Sequence, residues 1–280
     1  MDAIINNKNL IEIFPMRVLS IDLDYCMSSC IELYDGVYDD ENPLTRWKKF
    51  QESGFMPNNK LTIDKDKIIY CFDVFTKALM HCQDVEFAYD HDAILYRLEK
   101  EEDIEIINID YHNDFLNFGG LSEYSDGTYE QDISVLELEY DLIEKHNRVM
   151  EGNWVAWLEI HNKLKKYIWI RDKTSLTGTK EKSNKPTFTD YYWEVLQDKF
   201  EHCVKEDYNF ENFEFDYIFV CLSPVYVPQK FWHNFTLFMI AYENFIGKPL
   251  KFINRKYEIE ARYKSLNERL IPKNKNVIIK

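Results

Sequence analysis

No run of eighteen apolar residues occurs in the chain, so no segment is expected to cross a membrane. The first residues, Met1-Asp-Ala-Ile-Ile-Asn-Asn-Lys8, lack a basic stretch followed by a long apolar core, and no signal peptide is expected. Basic residues are in deficit: 34 Lys and Arg face 49 Asp and Glu, for a formal net charge of -15. That balance argues against a general nucleic-acid binder, which carries a basic footprint. It is compatible with a cationic substrate. The six cysteines include no repeated C-x-x-C. Cys26 and Cys30 stand four apart without the second pair that a zinc site needs. They read, with Cys71, Cys82, Cys203 and Cys221, as reduced and mostly buried thiols of a cytoplasmic protein. There is no internal repeat, no low-complexity tract and no strong domain boundary, so residues 1–280 are expected to form a single α/β domain.

What is present is a rich apolar content. Hydrophobic residues make up 45% of the chain and aromatics 16%, which excludes a disordered protein. Apolar runs of strand type recur at Arg17–Asp24, Val85–Tyr89, Asp103–Asp110, Tyr167–Arg171 and Asp216–Ser223, with a weaker one at Pro249–Ile253. Helical patterns lie between them at Asp66–Cys82, His91–Lys100, Asp132–Asn147, Gly152–Lys165, Thr189–Val204 and Gln229–Ile246. Continuous apolar strands alternating with helices predict a mostly parallel sheet covered on both faces. Gly119–Gly127 reads as a loop, residues 172–188 as a mobile polar insertion, and Tyr257–Leu270 in the basic tail as a solvated helix.

Six potential metal ligands cluster at or just after strand ends, where parallel sheets bind their ligands. The densest segment is Ile107-Asn-Ile-Asp-Tyr-His-Asn-Asp114. Strand alternation would put Asp110, His112 and Asp114 on one side, and such a stripe is costly to bury unless something pairs with it. Asp22-Leu-Asp24 closes another strand, with both carboxylates expected on one side; a helix N-cap is the bland alternative. His91, in Tyr89-Asp-His-Asp-Ala-Ile-Leu95, is either a ligand or a surface histidine after a capping Asp90. An oxygen-rich set with two imidazoles suits Mn²⁺, with Fe²⁺, Co²⁺ or Zn²⁺ as alternatives. Two such ions would share a water and lower its pKa, supplying hydroxide near neutral pH to attack an electrophilic carbon. Trp154 and Trp157 share a helical face, with core packing the simpler role, and Ser223–Pro228 reads as a loop at the site's edge.

Together these segments resemble the ureohydrolases, the arginase and agmatinase superfamily, and most closely its divergent branch of bacterial peptide arginases. The similarity rests on Asp90-His91, Asp110-Tyr-His112-Asn-Asp114 and Asp22-Leu-Asp24, with weaker likeness around Gly152-Asn-Trp154 and Leu222-Ser-Pro224. The resemblance implies a three-layer α/β/α fold of arginase/deacetylase type around a dinuclear manganese site. It implies Asp22, His91, Asp110 and Asp114 as one ion's ligands and Asp22, Asp24, Asp110 and His112 as the other's. Asp114 and His112 are implied in catalysis as well. In arginases Asp-x-Asp follows Asp-x-His-x-Asp, whereas here it comes first, which implies a rearranged strand order. The Gly-Gly-Asp-His-Ser pattern of small-molecule arginases is absent, which favours an arginine-containing precursor peptide over free arginine. The implied reaction converts peptidyl arginine to ornithine and urea. Glu151, Asp92 and Glu243 are candidates to pair with the guanidinium. The protonating histidine is open among His81, His146, His161 and His233. Alternatives are another metal-dependent C–N hydrolase (agmatinase-like or a deacylase) and a non-catalytic metal-binding scaffold. A homo-oligomer is compatible with the sequence.

Overall fold

The computed structural model describes residues 14–28, 62–115, 121–123, 129–131, 141, 143–145, 149, 152–175 and 198–253. Seven of its strands form one parallel sheet: β1 (Met16–Asp22), β2 (Val85–Ala88), β3 (Ile104–Ile109), β6 (Leu164–Arg171), β7 (Phe200–Val204), β8 (Tyr217–Cys221) and β9 (Lys251–Ile253), in the order β7-β6-β3-β1-β8-β2-β9. A separate antiparallel pair joins β4 (Leu121–Glu123) to β5 (Tyr129–Gln131). The helices that pack on this sheet among the described residues include α1 (Lys65–Leu79), α2 (Leu95–Leu98), α3 (Trp154–Ile160) and α4 (His233–Ile246).

Alternation along the strands divides the core into two layers. Leu19, Ile21, Phe87, Ile107, Ile109, Ile218 and Val220 point to one face, where Val74, Phe75 and Ala78 of α1 and Phe235, Phe238 and Tyr242 of α4 cover them. Val18, Ile104, Ile106, Tyr167, Trp169, Tyr217 and Phe219 point to the other, beneath Leu95 and Leu98 of α2 and Trp154, Val155 and Leu158 of α3. This is the three-layer α/β/α architecture, with its strands in a rearranged order. The layers follow from chirality. The connections that move from β1 toward β2 and from β8 toward β9 use the α1/α4 face. Those that move the opposite way, from β2 to β3 and from β3 to β6, use the α2/α3 face, as right-handed crossovers require. The neighbours β1 and β3 therefore send their chains to opposite faces, which opens a crevice at their C-terminal ends.

Local chemistry sets the helix limits. Asp64 caps α1 by accepting from the Asp66 and Lys67 N–H groups. Gly247, at φ +65°, ends α4 in the left-handed conformation that side chains disfavour. Among the described residues no helix is long and apolar enough to cross a membrane.

Several expectations need correction. Phe200–Val204 is strand β7, not the end of a helix: it lies at the sheet's edge with one neighbour, so it needs no continuous apolar run. The helix expected over Gly152–Lys165 stops at Ile160, because Leu164 already pairs beside β3. The expected loop Gly119–Gly127 contains β4. The expected mobile insertion begins as an anchored turn, with Asp172 and Ser175 buried. Residues 176–188, the tail helix, most of Asp132–Asn147 and the first part of Thr189–Val204 lie outside the described residues.

Candidate metal centre

All six expected ligands come together at the C-terminal edge of the sheet, on the α2/α3 face. Five are buried and His112 is partly exposed. The means of convergence differs from simple strand alternation. β1 ends at Asp22, and Asp24 sits in the single 3-10 turn that follows, with Asp22 as its N-cap accepting from the Asp24 N–H at 3.0 Å. The N-cap and ligand readings of this pair thus coexist. β3 ends at Ile109, so Asp110, His112 and Asp114 lie on an irregular turn beyond the strand. Asp114 takes φ +50°, a left-handed conformation that costs a non-glycine residue on the order of 1 kcal/mol. Ser223, after β8, is likewise left-handed at φ +47°. Two such residues at one site mark backbone held against its preference for the sake of side-chain placement.

His91 is fully buried, not a surface residue, and Asp90 makes no side-chain cap. Its ring is wedged between Phe219 and Trp154, with centroids 5.8 Å and 5.0 Å away. Nε2 lies 2.7 Å from the Ser20 hydroxyl. Nδ1 faces three carboxylate oxygens: Asp114 Oδ2 at 2.8 Å, and Asp22 Oδ2 and Asp110 Oδ2 at 3.1 Å each. None is aligned to form a hydrogen bond with it. One proton cannot satisfy three acceptors crowded around one lone pair, whereas a cation can. In the tautomer in which Nε2 donates to Ser20, Nδ1 would be the nitrogen that faces a cation.

The ligand atoms fall into two groups, Asp22/His91/Asp110 and Asp24/Asp110/His112, each with its atoms within 4.8 Å of one another. Asp110 belongs to both. The first group is wholly buried; the second opens outward through His112, whose Nδ1 is 2.7 Å from Asp24 Oδ2 and whose ring lies 4.5 Å from that of Tyr226. Asp114 belongs to neither group but adjoins the first through His91.

The electrostatics fit a cation. Burial, then the charges of Asp114 and Asp22, pushes the Asp110 carboxyl up to about 7. Burial raises Asp22, aided by Asp24, and burial raises Asp24, aided by Asp110. Burial alone would lower the His91 pKa, but Asp114, Asp110 and Asp22 together carry it well above the ordinary imidazole value. Without metal, these carboxylates compete for protons. A divalent ion would supply the positive charge they lack.

A supporting shell holds the ligands. Asn108 Nδ2 donates to Asp110 Oδ2 at 3.1 Å and approaches the Tyr167 hydroxyl at 3.0 Å, while that hydroxyl donates to the Asn113 carbonyl at 2.9 Å. The His112 N–H donates to Asp110 Oδ1 at 2.8 Å. The Trp154 indole N–H donates to Asp114 Oδ2 at 2.7 Å, and the Ser223 hydroxyl donates to Asp22 Oδ2. Sequence reasoning did not single out Ser20, Asn108 or Tyr167, nor Trp154 and Ser223 in these roles. The available signal was the alternation itself: counting back by two from Asp22 and Asp110 reaches Ser20 and Asn108, polar residues inside β-branched runs.

The other candidates are placed differently. Asp92 is buried beside His91 but outside both ligand groups. Glu243 is exposed near the C-terminal end of α4, which runs back toward the N-terminal edge of the sheet, away from the site. His81 and His161 follow the ends of α1 and α3, likewise exposed at that far edge. His233 is exposed at the start of α4, with Nδ1 3.0 Å from the Lys230 carbonyl. Glu151 and His146 lie outside the described residues.

No protein-family model, curated protein or solved structure matches this chain.

Proposed function

We propose that the protein is a metal-dependent hydrolase that holds two divalent cations, Mn²⁺ first among them, and converts arginine residues of a peptide to ornithine with release of urea. The observation that carries this reading is the pair of three-ligand groups sharing Asp110 at a strand's C-terminal end. Asp22, His91 and Asp110 would hold one ion; Asp24, Asp110 and His112 would hold the other. Fe²⁺, Co²⁺ and Zn²⁺ suit the same oxygen and imidazole donors. When bound, such a pair supplies a water of lowered pKa and positive charge against the charge that develops on the attacked carbon's substituents.

The chain's own residues do the rest. Asp114, fixed by Trp154 and outside both ligand groups, would take the proton of the attacking water and return it to the departing nitrogen. His112, the most exposed of the six, would mark the side from which substrate arrives, with Tyr226 as a wall. One water is consumed, the C–N bond to the side-chain nitrogen breaks, and urea and peptidyl ornithine leave. The choice of a peptide over free arginine rests on the ureohydrolase resemblance and the missing Gly-Gly-Asp-His-Ser pattern. Among the described residues Cys26, Cys71, Cys82, Cys203 and Cys221 carry thiols, not disulfides, which supports a reducing compartment, the cytoplasm.

The test begins with elemental analysis of protein purified without chelator, followed by Mn²⁺ titration. About two equivalents are expected, falling to one in His112→Ala. Arginine peptides are then screened for urea, and by mass for loss of the elements of cyanamide. Absence of bound metal under every loading condition would refute the reading. Two bound ions without urea release from any arginine peptide would refute the substrate.

A further inference from the structure

Lys67 stands on the inward stripe of α1 with Cys71, Val74, Phe75 and Ala78, the first of which lies one turn further on. A lysine there is unexpected, since the other positions fill the apolar layer. Its side chain is 9% exposed and that of its partner Asp172, just past β6, is 11%. Lys67 Nζ lies 2.6 Å from Asp172 Oδ2, donates to the Met27 carbonyl at 2.8 Å, and sits 5.4 Å above the Tyr25 ring. Asp172 Oδ1 in turn accepts from the Thr174 N–H at 2.8 Å and from the Thr174 hydroxyl. The Thr174 carbonyl accepts from the Tyr111 hydroxyl at 3.1 Å, and the Tyr111 N–H donates to Asp24 Oδ1 at 3.2 Å.

These contacts close a circuit through α1, the turn of Asp24, the turn of Asp110 to His112 and the start of the loop after β6. A buried ion pair adds little net stability against the same volume of apolar side chain, because desolvation offsets the attraction. Its consequence here is geometric. Met27 lies three residues beyond Asp24, and Tyr111 lies between Asp110 and His112. Both of its ends therefore bear on the outer ligand group, Asp24/Asp110/His112. The inner group is held by different partners, Ser20 on His91 and Ser223 on Asp22.

We propose that Lys67 and Asp172 are positioning residues, a buried clamp that holds the Asp24 and His112 turns at the spacing the outer cation needs. The proposal rests on the metal-centre reading above and makes a selective claim within it. Loss of the clamp weakens the second equivalent of Mn²⁺ and leaves the first.

The test is Mn²⁺ titration of the full chain, followed by the electron paramagnetic resonance signal of free Mn²⁺ and by calorimetry. Wild type is compared with Lys67→Met, Asp172→Asn and the double variant Lys67→Met/Asp172→Leu, with melting in chelator recorded for each. The first equivalent is expected unchanged and the second weakened about tenfold or more in all three, the range for residues that support a ligand. The double variant leaves no uncompensated charge, so its melting in chelator should return toward wild type while the second affinity does not. That divergence separates positioning from general stability, and it carries the test if a single variant fails to fold. Wild-type affinity for both equivalents in the folded double variant, or equal weakening of both, overturns the clamp while leaving the metal centre standing. Wild-type protein that takes up no Mn²⁺ overturns the metal-centre reading, and the clamp with it.

Discussion

The metal-free protein should lose stability as pH rises, and Mn²⁺ should restore it most where the loss is greatest. Asp110 illustrates the size of the effect. Its carboxyl is held at about 7 in the fold against 3.8 in an open chain. That difference corresponds to about 4 kcal/mol. The folded state binds this proton more tightly than the unfolded state. The contribution is therefore fully present below pH 3.8 and is lost as pH rises through about 7. Asp22 and Asp24, raised chiefly by burial, act in the same direction. So does His91: its raised pKa stabilises the fold below the ordinary imidazole value and ceases to do so as pH climbs through the folded value. These groups titrate together, so the contribution of Asp110 is not summed with theirs. Elsewhere Asp172 is lowered, despite its burial, through Lys67 and Thr174, and works in the opposite sense. The informative quantity is thus a difference. Thermal melting in chelator is compared between wild type and Asp110→Asn from pH 4 to pH 8. Wild type should fall relative to the variant by up to about 4 kcal/mol, or roughly 8–16 °C in Tm. With saturating Mn²⁺, wild type should recover at pH 8 and the variant should not. A difference that stays flat from pH 5 to pH 8, or Mn²⁺ stabilisation that is greatest at pH 5, would refute the reasoning.

Three further outcomes follow from the geometry. Asp110→Ala should lose both Mn²⁺ equivalents and urea release together, since both ligand groups use it; a variant that keeps full activity would sink the shared-ligand reading. Trp154→Phe removes a buried indole donor from Asp114 and should cost about 1.5–3 kcal/mol by urea denaturation in chelator, with unchanged stability counting against that hydrogen bond. Asn108→Leu removes the Nδ2 donor to Asp110 and should lower Mn²⁺ affinity about tenfold, with stability in chelator falling by about 1–3 kcal/mol; intact Mn²⁺ affinity would count against a supporting role for Asn108.

The candidate ligands were legible in the sequence because they cluster at or just after apolar runs of strand type. The three-layer class followed from the same runs, since strands buried on both faces need no polar alternation. Strand β7 was not legible, because its sequence Phe-Glu-His-Cys-Val is that of an edge with one neighbour. The supporting residues were hidden for a different reason. Ser20 and Asn108 lie opposite each other only because β1 pairs with β3 in one register, and Ser223 reaches Asp22 only because β8 flanks β1 on its other side. Strand order is set by crossover direction, which residue spacing does not encode. Glu243 fails as a substrate carboxylate on similar grounds, because a helix that follows a strand runs back toward the sheet's other end.

The two faces of the central strands differ in a way that explains why the site stands where it does. On the α1/α4 face, β1 and β3 remain apolar to their last residues, Ile21 and Ile109. On the α2/α3 face, apolar Val18 gives way to Ser20 and then Asp22, and Ile106 gives way to Asn108 and then Asp110. The polarity rises in step on two adjacent strands, and it does so at the crevice where their chains leave in opposite directions. A shift of one residue in either strand would carry a carboxylate into the α1/α4 layer, against Phe75, Phe87 and Phe238, and an isoleucine into the ligand cluster. The parallel register of β1 and β3 is therefore under two constraints of the same period, one from packing and one from the site. The unfavourable charges of Asp22 and Asp110 are tolerated because the apolar half of each strand already fixes where they must lie.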